Sequence, residues 1–549
     1  MSNAGQTGSA WRWGFPALLL LVPFLGWPLA ALVAQGIAPD GTITGSAILD
    51  VAGSGEVQRR IAFTAAQALA SSALSLVVGL PAAYVVSQIR FPGRRLVRAA
   101  LTLPLVLPAV VVAVAFRQLL DGAGWVSTLI QRLTGPGIDS TGTLWAILAA
   151  HTVFGMAITV RLVGAAWAGL DPRHEEAAQM LGATRWGAFR RITLPAIRPA
   201  IGAAATIAFA FAFTSFAIVL ILGAARYDTL EVAIYRLATQ PGQLPQAAVL
   251  SLAQLAVTLV ALTLCSTLPG TSRPPERSAH APLSRTSWRE RAALLFVLGA
   301  VLALIAIPLA ALVAGSVTRD GALTGDHFRA LSAAGSADAI APIESVRWSL
   351  AFAFGATALA LLAGGVAARA VPRARGWRGA ILLALLVLPV AVPGVALGLS
   401  VQLAFDRGWY DLRGTPALVL IAHALLAYPF VLRSVVPAAR SMDPGVAEAA
   451  AVLGASPRRA WRHIDLPVLS RALVAGGAFA FAVSLGEPAA TALLRRHEFT
   501  TAPVAILDTL GRSADGAGAA LALATLLLVV SVVAFLIIER FRHREAGDW

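Results

Sequence analysis

The sequence predicts an all-α polytopic membrane protein, with about twelve spanning helices arranged as two homologous six-helix halves. Composition is the first sign: 58% of the 549 residues are hydrophobic and 13% charged, with mean hydropathy +0.75. A soluble domain carries roughly 25% charged residues, so about half of the usual polar surface is missing. The second sign is run length, because many apolar stretches reach the ~20 residues that cross a hydrocarbon core as a helix. The third is a duplication. Glu176-Ala177-Ala178, Gly182, Ile192, Leu194 and Pro195 recur as Glu448-Ala449-Ala450, Gly454, Ile464, Leu466 and Pro467, every member displaced by 272.

The first run, roughly Pro16 to Ala34, is longer than a secretory h-region of about 7–15 residues and is read as an uncleaved first helix. Further spans fall roughly at 61–87, 97–120, 143–166, 199–223 and 246–268. A second set falls near 292–314, 347–370, 378–404, 415–439, 471–494 and 517–538. Residues 1–268 thus make a first half and 292–549 a second. The polar stretch 269–291 between them holds Pro269, Arg273, Pro274, Pro275, Glu276, Arg277 and Pro282, a linker composition.

Arginine placement sets the expected orientation. Arg90, Arg94, Arg95 and Arg98 follow the second span, and Arg173, Arg185, Arg190, Arg191 and Arg198 the fourth. The same loops of the second half hold Arg369, Arg373, Arg375 and Arg378, then Arg458, Arg459 and Arg462. Taken together the intervening loops mix signs, with Asp40, Asp50 and Glu56, then Asp121 and Asp139, then Arg226, Asp228 and Glu231. Both termini and both repeated loops are expected in the cytoplasm. The net charge of +15 is therefore an orientation signal rather than a nucleic-acid surface. All 43 basic residues are arginine. A lysine-bearing phosphate loop and lysine Schiff-base chemistry are thereby excluded. The single Cys265 lies in an apolar run and reads as packing.

The repeat extends outward from the loop. His151, Arg161 and Asp171-Pro172 match His423, Arg433 and Asp443-Pro444 at 272, while Pro104 and Pro108 match Pro389 and Pro393 at 285. An outer loop is thus 13 residues shorter in the second half. Six spans per half give both copies one orientation, the parallel-repeat arrangement.

The loops, about 171–195 and 443–467, have a legible local chemistry. Asp171 suits an N-cap and Pro172 the first helical position, with Glu175 and Glu176 favourable in the first turn. Ala177, Ala178 and Leu181 make a small apolar face, and Gly182 can end the helix in the left-handed conformation. Thr184 starts a second short helix bearing Trp186, Phe189 and Ile192, after which Pro195 opens the next span. Asp443, Pro444, Glu448, Gly454 and Ser456-Pro457 repeat this logic, with Trp461 and Ile464 as the apolar stripe. One such loop alone could be an interfacial amphipathic helix. A DNA-reading helix-turn-helix shares the pattern, but the flanking spans block groove access.

The pattern E-A-A-x(3)-G-x(9)-I-x-L-P, present twice, resembles the signature of binding-protein-dependent ABC importer permeases, and nearly the whole chain looks like two such subunits fused. The resemblance implies the type I ABC importer permease fold in the bacterial inner membrane. It makes Glu176, Ala177, Ala178, Gly182, Glu448, Ala449, Ala450 and Gly454 the contacts to two cytoplasmic ATPase subunits. A periplasmic substrate-binding protein would be a third kind of partner, besides the lipid bilayer, with no nucleic acid. ATP and Mg would sit on the ATPases, leaving this chain without a cofactor and not itself an enzyme. Phe213–Gly223, Thr229–Leu237 and the stretch from Ser484 to Thr525 look most like fused permeases for thiamine or thiamine diphosphate. A ferric-iron importer permease is the alternative within this class. An ion-coupled secondary transporter is the alternative outside it, but would need buried carboxylates that the spans almost lack.

Ionisable groups inside spans are expensive and so draw functional readings. Glu487 lies where Gly486 and Pro488 interrupt the eleventh span, and Ser215 is its counterpart at 272. Both are candidates for the substrate path; a bond from Glu487 to Arg495 or Arg496 is the plainer reading. Arg161 and Arg433 are explained by snorkelling. His151 and His423 are read as helix-packing hydrogen bonds, since the sequence clusters no metal ligands around them.

Overall fold

The computed structural model describes residues 21–38, 53–120, 142–224, 226–266, 281–282, 288–319, 321–332, 340–370, 376–405, 412, 414–496, 498–512 and 514–545. Most of the linker and the acidic outer-loop positions Asp40, Asp50, Asp121 and Asp139 lie outside them, as does the side chain of Cys265. Nine described helices are long and apolar enough to cross a membrane, or up to eleven when each of two bent pairs counts as one span. The apolar segment Val22–Ile37 is shorter.

In the first half, α1 is Trp27–Ile37 and α2 is Gly55–Gln88. The bent pair follows as α3 (Arg94–Thr102) and α4 (Ala109–Leu120), then α5 (Leu144–Ala168) and the loop helix α6 (Arg173–Met180). Next come α7 (Arg185–Phe213), α8 (Ala217–Leu222), α9 (Leu230–Ala238) and α10 (Leu244–Ser266). In the second half α11 is Trp288–Val317 and α12 Pro342–Ala370, followed by the bent pair α13 (Gly376–Val387) and α14 (Gly394–Phe405). The chain continues through α15 (Pro416–Arg440), α16 (Pro444–Val452) and α17 (Arg458–Leu485). It ends with α18 (Ala489–Leu494), α19 (Ala502–Arg512) and α20 (Ala514–Glu545).

The chain forms two compact units, and they are not the two sequence halves. One unit holds Ala52–Ala233 with Ala256–Gly325, the other Met1–Val51 with Ile234–Leu255 and Asp326–Trp549. The first helix of each half is therefore exchanged. In one unit α1 packs on α14, where the Trp27 indole donates to the Ala404 carbonyl at 3.2 Å and Phe24 stacks on Phe405. In the other, α11 packs on α4, with Leu304, Ile305, Pro308 and Leu309 against Leu107, Val112, Ala115 and Phe116.

Inside each unit the central pair is held by close backbone approach. A Cβ on Gly79 of α2 would stand 2.7 Å from the Thr159 side chain of α5. In the second half, a Cβ on Gly364 of α12 would stand 2.5 Å from the Val431 side chain of α15. Small residues allow such contact where lipid supplies no hydrophobic drive between helices. A side chain also caps a distant helix in each unit. Thr64 Oγ1 on α2 accepts from the Leu230 N–H at 3.1 Å, and Ser349 Oγ on α12 accepts from the Ala502 N–H at 2.8 Å.

Two expectations change in detail. The spans read as continuous at 97–120 and 378–404 turn sharply, by 100° and 103°. Pro104 and Pro108, like Pro389 and Pro393, remove helix donors, and a short 3-10 turn replaces the α-ladder there; before Pro393 the chain is extended at Val392, with φ −86° and ψ 116°. The second helix of each loop is not separate from the span behind it either. A π turn at Phe189–Thr193, and its counterpart at Trp461–Asp465, carries α7 and α17 through without interruption. Each π turn ends two residues before a proline, Pro195 or Pro467. A wider turn relieves the clash of the proline ring with the preceding carbonyls.

Candidate functional site

In the first loop, Asp171 Oδ1 accepts from the Arg173 N–H at 2.9 Å, and Pro172, expected as the first helical residue, stands between them as the N-cap of α6. The helix ends at Gly182, whose φ of +89° is a left-handed conformation that a Cβ would penalise. Around it the Gly182 N–H reaches the Gln179 carbonyl and the Ala183 N–H reaches the Ala178 carbonyl, both at 3.0 Å, the paired bonds of a Schellman cap. Thr184 Oγ1 then accepts from the Gly187 N–H at 3.0 Å and starts α7.

The second loop repeats each step. Asp443 Oδ1 accepts from the Gly445 N–H at 2.9 Å, and Gly454 has φ +83°. The Gly454 and Ala455 N–H groups bond the Ala451 and Ala450 carbonyls at 3.0 and 2.9 Å, and Ser456 Oγ accepts from the Arg459 N–H at 3.4 Å. Two loops of different composition thus close with one hydrogen-bond pattern.

Glu176, Ala177 and Gly182 are exposed and Ala178 half-buried; Ala449 and Gly454 are exposed and Ala450 half-buried. Glu448 lies on α16, but its side chain is outside the described residues. Leu181, expected on the apolar face of its loop, stands at the tip together with Met180, Val452 and Leu453, which were not singled out from the sequence. Met180 and Leu181 are 88% and 89% exposed, and Val452 and Leu453 both 87%. Those pairs are again 272 apart, which was the available signal. Each short polar loop thus bares two large apolar side chains at its tip.

The loops differ in their surroundings. In the first, Trp186 stacks on Phe189 and Phe189 on Trp167, while Arg185 meets Glu290 at 3.5 Å. Arg458 stands where Trp186 stands in the other copy. Desolvation of the half-buried Glu175 carboxyl lifts it above the usual carboxylate range.

The candidate path residues both sit in helix breaks. Ser215 is buried between α7 and α8. Glu487 is half-buried between α17 and α18, beside Gly394, and its Oε1 accepts from the Ala490 N–H at 2.8 Å. Arg495, the plainer partner considered for it, forms an ion pair with Asp508. His151 Nδ1 meets Ser71 Oγ at 3.2 Å; His423 meets Ser484 Oγ at 2.8 Å and Thr491 Oγ1 at 2.7 Å. Arg161 and Arg433 are exposed on their helices.

Residues 75–269 and 356–546 each match the family described as the inner membrane component of binding-protein-dependent transport systems. The thiamine transport system permease protein ThiP of Brucella abortus is 31% identical over 536 residues, covering 94% of this chain and 93% of that protein. ThiP of Escherichia coli is 27% identical, with 88% and 89% covered. A bacterial ABC transporter involved in the import of alginate aligns with 46% of the chain at 22% identity and a TM-score of 0.40.

Proposed function

We propose, for a chain that belongs to the family of inner-membrane components of binding-protein-dependent transport systems, that it forms both halves of the translocation path of an ABC importer for thiamine or thiamine diphosphate. The chain is a multi-pass transport subunit of the inner membrane. Its termini and both loops face the cytoplasm in this reading, as the arginine distribution suggests. The observation that carries it is the duplicated loop. Two tips, Met180-Leu181 and Val452-Leu453, are bared at the ends of identically capped helices. Each offers an apolar plug with a rigid base to one ATPase subunit. Glu176, Ala177, Ala178 and Gly182 shape the first plug; Glu448, Ala449, Ala450 and Gly454 shape the second.

The chemistry of energy supply then belongs to the partners, where ATP and Mg bind, while a periplasmic binding protein delivers substrate. Closure of the ATPases draws the loops together. Because α7 and α17 run unbroken from the loops into the membrane, that motion reaches the breaks at Ser215 and Glu487. The thiamine assignment is supported by relatives aligned over nearly their full length. A carboxylate at the break of α17 suits a substrate whose thiazolium ring is cationic.

The test is uptake of labelled thiamine into proteoliposomes holding the chain, its ATPase and its binding protein. Uptake is expected only with all three and ATP, and should be abolished by Glu176→Arg with Glu448→Arg. Uptake by the chain alone under a proton gradient would overturn the importer reading; ATP-driven uptake of ferric ion in place of thiamine would overturn the substrate.

A further inference from the structure

The two broken spans are equivalent in sequence register but are held in different ways. In the second half, α17 ends at Leu485 and α18 begins at Ala489. His423 of α15 spans that gap. Its Nδ1 meets Ser484 Oγ before the break and its Nε2 meets Thr491 Oγ1 after it. The Thr491 hydroxyl donates onward to the Glu487 carbonyl at 3.3 Å. With its single proton so used, Thr491 accepts from Nε2–H, and Ser484 donates to Nδ1. One tautomer satisfies every group in the chain. Beyond α18, Arg495 pairs with Asp508 of α19, so the far end is tied as well.

In the first half the residues that make these particular ties are replaced at the matching positions. Ala212 and Val219 replace Ser484 and Thr491, and Gly223 and Arg236 replace Arg495 and Asp508. His151, the counterpart of His423, is fully buried; its Nδ1 is used by Ser71 and its Nε2 has no hydrogen-bond partner. The upstream side of this break is held, since Gln67 donates to the Ala212 carbonyl at 3.4 Å. The histidine makes no bond across it to α8. Val219 is fully buried, as Thr491 is, so the two positions differ in chemistry and not in exposure.

We propose that His423 is a positioning residue: it locks the break of the second half so that Glu487 is held in one place, while the break of the first half, at Thr214–Phe216, which no histidine bridges, is the one that rearranges during transport. The role of Glu487 rests on the path reading given above, but the asymmetry of the lock does not. Hydrogen bonds between polar side chains tie neighbouring spans together inside a membrane. Several bonds across one gap therefore suffice to make one break the rigid partner of the other. The fused chain is what allows such a division, since two copies of one subunit would be forced to share a single design.

Val219 and Thr491 have the same shape, so the lock can be removed from one half and offered to the other. The measurement is amide hydrogen exchange of the full chain in lipid nanodiscs with its ATPase bound, read at 217–222 and 489–494. In the wild type, 489–494 is expected to exchange at least tenfold more slowly. Thr491→Val should bring it within about threefold of the first-half segment. Val219→Thr, which offers His151 Nε2 a hydroxyl, should slow 217–222 at least fivefold and lower the uptake rate to a similar degree, with ATPase binding unchanged. Equal exchange of the two segments in the wild type would overturn the proposal. So would Val219→Thr leaving 217–222 unchanged, or slowing it without loss of uptake. The exchange comparison needs no substrate, so its failure is distinct from a failure of the thiamine assignment.

Discussion

Gly182 and Gly454, 272 residues apart, end their helices with one backbone conformation, φ +89° and +83°, and one pair of capping bonds. The equivalence makes the glycines interchangeable tests of the same device. A Cβ added to either meets nothing within 4 Å, so only the left-handed backbone resists it.

Gly182→Ala and Gly454→Ala should therefore cost about 1–2 kcal/mol in cap stability. Where the tip must be rigid to dock, that cost appears as an affinity for the ATPase about 5- to 30-fold weaker, read by titrating ATPase onto the purified chain. Asn at the same positions should fall close to the wild type, because its side chain tolerates this region. Equal weakening by Ala and Asn would show that the backbone conformation is not what matters.

Thr64 and Ser349 offer a second matched pair, each accepting the first amide of a helix distant in sequence. Thr64→Val and Ser349→Ala should each lower stability by about 1 kcal/mol or somewhat more, since the Leu230 and Ala502 amides are left buried without an acceptor. Thermal unfolding in one detergent would read this, and similar losses are expected from both variants. A loss from one alone would mean that the two units do not rely on their caps equally.

Glu175 supplies a pH dependence with a definite sign. Burial raises its carboxyl in the folded chain, so the fold binds this proton more readily than the unfolded chain does. Its contribution is full below the ordinary glutamate range near ~4.3 and is lost as pH rises through the raised value. Glu175→Gln removes that loss. The variant should match the wild type at pH 4 and melt at a higher temperature than the wild type at pH 7. A difference in melting temperature that is the same at both pH values would contradict the assignment.

Local chemistry made the loops legible before any coordinates. Thr184 and Gly182 each have a side chain or backbone freedom suited to one cap position, and the structure uses them so, while Asp171 stands one residue before the N-cap, which is Pro172. The interruption at Gly486–Pro488 was legible for the same reason. The 100° turn at Pro104–Pro108 was less so, because an apolar run with two prolines can kink gently or fold over, and packing decides which. The exchange of α1 and α11 was not legible at all. Both helices are apolar around much of their surface, so no stripe in the sequence marks the face that meets a neighbour. His423 was seen as packing, but its partners at Ser484 and Thr491 become neighbours only once the eleventh span breaks.

If the duplicated loops are two separate sockets for one kind of ATPase, native mass spectrometry of the purified complex counts them directly. Two ATPase copies are expected on the wild-type chain. One copy should remain after Met180→Arg with Leu181→Arg, and none when Val452→Arg and Leu453→Arg are added. Two copies retained on the fourfold variant would contradict it.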